Sequence, residues 1–150
     1  MRIGFAVFLA SQFLFVAVPV ARSADPCDWE RIAELKSWKG LHQFVKRFKC
    51  VDDGMRAEAY SAFVVHTLAT KWETLRELAD VTKRDAPFRK FVIGHIDATA
   101  SQTDLATVKN NSMQRCTSDS SGLCREIAAA ADQALTEIKA VHERRPKQGN

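Results

Sequence analysis

The sequence predicts an all-α protein, a compact disulfide-stapled multi-helix bundle of about seven helices. Three observations lead there. Apolar residues recur at helical spacing along almost the whole chain after residue 24. No segment alternates with period two between hairpin turns. The four cysteines form an even set without the CxxC spacing of a zinc site.

The 150-residue chain opens MRIGFAVFLASQFLFVAVPVARSADPC: one positive charge at Arg2, an apolar run from Ile3 to Val20 broken by Ser11 and Gln12, then small residues around Arg22. That order predicts a secretory signal peptide over residues 1–23, cleaved after Ser23 or Ala24. The run could also just span a bilayer, but Pro19 and the small residues favour cleavage over a retained anchor. Cys27 follows Asp25-Pro26 rather than the small residues of a lipoprotein signal. The expected location is the bacterial periplasm or the extracellular space, with no stable membrane anchor after cleavage. Removing the leader takes Arg2 and Arg22 and no acid, so the formal charge falls from +4 to about +2, 20 basic residues against 18 acidic. That is too weakly basic to indicate nucleic acid as a partner. Residues 24–143 then form a single helical domain, and the polar 144–150 tail is expected to be disordered.

All four cysteines follow the leader. In an oxidising compartment they predict disulfides, and of three possible pairings the sequence-local one, Cys27–Cys50 with Cys116–Cys124, is favoured. Closing loops of those sizes is worth about 2.5–3.5 kcal/mol each by chain entropy.

Each helix has its own signal. Asp25-Pro26 reads as a start with Asp as cap, and Trp29, Ile32 and Leu35 point inward. Ser37 or Gly40 marks a bend. Leu41, Phe44, Val45 and Phe48 then form one apolar stripe, with Lys39, Gln43, Lys46, Arg47 and Lys49 mostly off it. If the two helices fold back on each other, Cys27 meets Cys50. A helix beginning near Asp53-Gly54 is apolar nearly all round, which predicts a central, buried position. Thr70 to Glu73 fits a capping box before Trp72, Leu75, Leu78 and Ala79. Asp85-Ala86-Pro87 breaks that helix and begins the stripe Phe88, Phe91, Val92 and Ile96. Ser101 starts a helix carrying Leu105, Val108 and Met113, and Ser120 to Gly122 precede a long run with Leu123, Ile127, Ala131, Leu135, Ile138 and Val141 inward.

Residues 29–35, WERIAEL, and 72–78, WETLREL, share a pattern at an offset of 43, and a Phe-Val pair follows each, at 44–45 and 91–92, an offset of 47. In period and helix pattern this resembles HEAT and armadillo repeats, so a two-unit HEAT-like repeat is the alternative arrangement of the same helices. No third copy follows residue 100, which favours the compact bundle.

Little chemistry stands out. His42, His66, His95 and His142 form no HExxH and no i, i+4 pair, so no metal site and no cofactor are expected. There is no GxSxG, and cysteines in disulfides supply no nucleophile. The candidate polar cluster is Glu58, Tyr60, His66, His95 and Asp97, with Asp97 also suited to ending a helix near Ala98. Lys36, Lys39, Lys46, Arg47 and Lys49 form a local basic cluster suited to a partner. The expected function is therefore non-enzymatic: an exported helical protein that binds another protein. In size, address and class it resembles the immunity proteins that neutralise secreted bacterial toxins, which implies an inhibitor role. Two alternatives accompany this reading: a small exported enzyme using Glu58, His66 and Tyr60 in an interhelical cleft, or a carrier of an apolar ligand.

Overall fold

The computed structural model describes residues 25–144, so the leader and all but the first residue of the tail lie outside the described region. Seven α-helices and two single 3₁₀ turns account for most of it, with no strand among the described residues. The helices are α1 (Trp29–Ala33), α2 (Trp38–Phe48), α3 (Gly54–Thr70), α4 (Leu75–Thr82), α5 (Ala86–Gly94), α6 (Gln102–Gln114) and α7 (Ser121–Arg144). The all-α bundle expected from the periodicity is what forms.

Short polar side chains set most of the starts. Ser37 Oγ accepts from the Gly40 amide, Asp85 from Phe88 and Ser101 from Asp104, so each satisfies an orphan donor of its first turn. Two expected caps are corrected. The cap of α1 is Asp28, not Asp25. Asp25-Pro26 instead forms a turn in which the Asp25 carbonyl accepts from the Asp28 amide and its carboxylate from the Cys27 amide. Thr70 does not open a capping box, because it still belongs to α3 and its hydroxyl donates back to the His66 carbonyl. A 3₁₀ turn over Trp72–Thr74 intervenes, and α4 begins only at Leu75.

The helices stack as successive pairs. Helix α3 lies between α1 and α6, α2 packs on α4, and α7 packs on α5 and α6. His66 faces Asp104, and the Asn111 amide donates to the Leu68 and Ala69 carbonyls, so α6 runs parallel to α3 and caps its C-terminal end. Helices α6 and α7 form an antiparallel hairpin, crossed by the Lys109–Asp132 ion pair.

Four hydrogen bonds join residues 43 apart: His42 with Asp85, Asp52 with His95, Leu68 with Asn111, and Trp72 with Arg115. The offset that the sequence displays is thus also the chain length separating contacting levels of the stack. The α6–α7 pair adds a further level without any WExxxEL signature. The two WExxxEL segments themselves occupy different environments. Trp29 is 41% exposed on a five-residue helix packed on α3, whereas Trp72 is 4% exposed in the turn leading to α4.

The core is continuous across all the levels. Ile32, Trp38, Leu41, Val64, Leu68, Leu78, Val92, Leu105 and Ile127 are sealed from solvent. Three residues expected inward are not: Trp29, Met113 and Val141 are exposed. Helix α1 ends after little more than one turn, so Trp29 has no facing helix to cover it. On α6 the buried positions after Val108 are Asn111 and Ser112, which leaves Met113 outside. Ala131 and Ala134 are both buried on α7, while Leu135 and Ile138 are only partly covered. The central position of α3 is observed, but Glu58, Ala62 and His66 leave one side of it open to solvent.

Both local disulfides form. Cys27–Cys50 ties the turn before α1 to the end of α2, with Cα atoms 5.6 Å apart, and Cys116–Cys124 closes the α6–α7 connection at 6.2 Å.

Candidate functional site

The polar residues expected to cluster are divided among three places. Glu58 is exposed on α3 and makes no hydrogen bond or ion pair among the described residues. His66 is also exposed, with Nδ1 3.5 Å from an Asp104 carboxylate oxygen. Tyr60 points the other way, into the core, 2% exposed, with its ring edge-on to His95 and Phe91. The Glu58/His66/Tyr60 arrangement is therefore not assembled. At about 100° per residue, positions 58 and 66 come within about 80° of each other on the open side of α3, two turns apart, whereas position 60 faces away from both into the core.

His95 and Asp97 instead make a structural polar site at the end of α5. The His95 Nδ1 donates to the Phe91 carbonyl at 2.8 Å, and its Nε2 lies 3.1 Å from Asp52, fastening the segment before α3. Asp97, three residues beyond the end of α5 at Gly94, accepts from the Ser61 hydroxyl and from the Thr99 amide and hydroxyl, which ties the α5–α6 connection to α3. Burial opposes ionisation of Asp97, but the hydrogen bonds from Thr99 and Ser61 outweigh it and hold the carboxyl below its ordinary range. Burial pushes the Tyr60 phenol up, and the neighbouring Asp52 charge adds to that. No buried side-chain polar atom here lacks a partner, so the site is a brace rather than an open pocket. Asp52 is the member that sequence spacing could not reveal, because it meets His95 only through the stacking of levels 43 residues apart.

The basic cluster is divided as well. Lys39, Lys46 and Arg47 are exposed on α2; Lys39 and Lys46 line a groove of about 550 Å³ that α2 shares with α4, and Arg47 borders a shallower hollow next to it with His42, Gln43 and Lys46. Arg76 of α4 and Arg84, just beyond its end, extend this positive rim, against Glu77, Asp80 and Asp85, which leaves a positive excess. Two of these acids are engaged locally. Glu77 accepts from the Lys39 amide at 2.8 Å, and Asp85 accepts from His42 and faces Lys46 at 3.3 Å. Lys39 and Arg47 make no ion pair among the described residues. The Arg47 guanidinium rests 5.2 Å from the Phe48 ring centre, with that of Arg31 near the same ring. Lys49 sits at the C-cap of α2 in a left-handed conformation, and Lys36 belongs to a different groove, between α1 and α3. Arg76 and Arg84 were missed in the sequence because only the packing of α4 on α2 brings them to this face.

No group of three or more histidine, cysteine or carboxylate side chains suited to a metal ion occurs among the described residues. No described helix is long and apolar enough to cross a membrane. No protein-family model matches the chain, and no match was found among curated proteins or solved structures.

Proposed function

We propose that this is an exported protein that works by binding another protein, as an inhibitor of the toxin-immunity type, through the α2–α4 face. The observation that carries the reading is the excess of exposed lysine and arginine along that groove, on helices held in place by packing and by a disulfide at the end of α2. A preformed surface loses little conformational entropy on docking, and an uneven charge pattern steers an acidic partner and fixes its register. The leader-like first 23 residues and the two disulfides support export.

The test is affinity capture from an exported fraction, read by mass spectrometry, with wild type beside Lys39→Glu/Arg47→Glu. Both changes are on exposed side chains without ion pairs among the described residues, so the variant is expected to fold. The expected result is a protein retained by wild type at low salt, released as salt rises, and lost with the variant. Retention of nothing, or equal retention by both proteins, overturns the reading.

A further inference from the structure

A second groove, of about 620 Å³, runs between α1, α3 and the start of α6 and shares no lining residue with the α2–α4 face. Its apolar surface comes from Leu35, Phe63 and four alanines, and Trp29 stands at its edge. Trp29 is 41% exposed, while Trp38 and Trp72 are both buried, so a large amount of indole surface is left to water at this one place. Lys36 and Lys71 line the same groove, and neither makes an ion pair or a side-chain hydrogen bond among the described residues. The one carboxylate on its wall, Asp104, faces His66 at 3.5 Å. The groove therefore offers an apolar strip and two unanswered ammonium groups.

We infer that this groove binds an anionic amphiphile, a straight-chain carboxylate whose chain lies on Trp29, Phe63 and the alanines while its head meets Lys36 and Lys71. The volume lies within the range of about 300–1,000 Å³ occupied by small-molecule sites. A neutral or cationic chain would bury the same carbon and leave both lysines without a counter-charge. This inference is independent of whether a protein docks on the α2–α4 face.

The experiment titrates the oxidised protein with decanoate, decanol and decyltrimethylammonium below their micellar concentrations, following tryptophan emission and the heat of binding. Decanoate is expected to saturate a single site and to shift the emission, and Trp29→Phe should abolish that shift. Lys36→Gln/Lys71→Gln should weaken decanoate about tenfold, as expected for the loss of charge-assisted hydrogen bonds, and leave decanol unchanged. Matching circular dichroism of variant and wild type shows that the fold is intact. The inference is overturned by the absence of saturable heat with decanoate, or by decanol or the cation binding as tightly. It is equally overturned if the double lysine variant binds decanoate with wild-type affinity, or if an acidic amphipathic peptide saturates the groove where decanoate does not.

Discussion

Asp85 illustrates how much one side chain holds in this protein. Its carboxylate caps α5 through the Phe88 amide at 3.0 Å, accepts from His42 at 2.9 Å and faces Lys46 at 3.3 Å. The hydrogen bond from His42, followed by that from Phe88, pulls its pKa from 3.8 down to about 2. A carboxyl with a depressed folded-state pKa contributes stability that is present above the unfolded value and is lost as pH falls toward the folded one. Asp85→Asn keeps a capping oxygen and removes the charge. It is expected to lower the urea midpoint at neutral pH, with the difference from wild type closing between about pH 4 and pH 2. A difference that stays constant to pH 2 would show that the charge is not what stabilises the junction. Sequence spacing identified Asp85 as a helix breaker, but His42 and Lys46 became visible as its partners only once α2 had been placed beside it.

At the scale of an element, α2 is fixed to the next level by Trp38. The indole is fully buried, donates to the Thr74 hydroxyl at 2.9 Å, and meets Phe63 edge-on at 5.6 Å. Thr74 passes the hydrogen bond on to the Lys71 carbonyl, just where α3 gives way to the 3₁₀ turn. Trp38→Phe is expected to cost about 2–3 kcal/mol in urea unfolding, from the lost hydrogen bond and the space left behind. A double-mutant cycle with Thr74→Val should return a coupling of about 1 kcal/mol, and strict additivity would mean that the hydrogen bond contributes nothing. The helical stripes of α2, α4 and α5 were legible because large apolar residues spaced about 3.6 apart line one face of a helix and would scatter over both faces of a strand. Helix α1 misled because two turns of periodicity do not reveal whether a neighbouring helix is there to cover the first residue.

The whole molecule rests on one continuous core, with a crosslink near each end of the described chain. The Cys27–Cys50 loop spans 23 residues and the Cys116–Cys124 loop 8, so chain entropy assigns about 3.5 and about 2.5 kcal/mol to them. Cys27→Ser/Cys50→Ser should therefore lower the melting temperature more than Cys116→Ser/Cys124→Ser, and reductant should lower that of wild type. Equal melting with and without reductant would contradict both assignments. With the cysteines oxidised, the native protein should also show no thiol reactive toward an aromatic disulfide reagent.

The order of amino acids by itself determined the helical class, most helix boundaries, the local pairing of the cysteines and most of the buried stripes. Each of these depends on residues a few turns apart or on chain connectivity. The tertiary structure alone decided which polar groups meet. It joined His42 to Asp85 and Asp52 to His95, left Glu58 in solvent, and divided one run of lysines between two grooves. The physical reason is range: helical periodicity acts over about four residues, whereas these encounters need 43 residues of chain to come round to the next level of the stack.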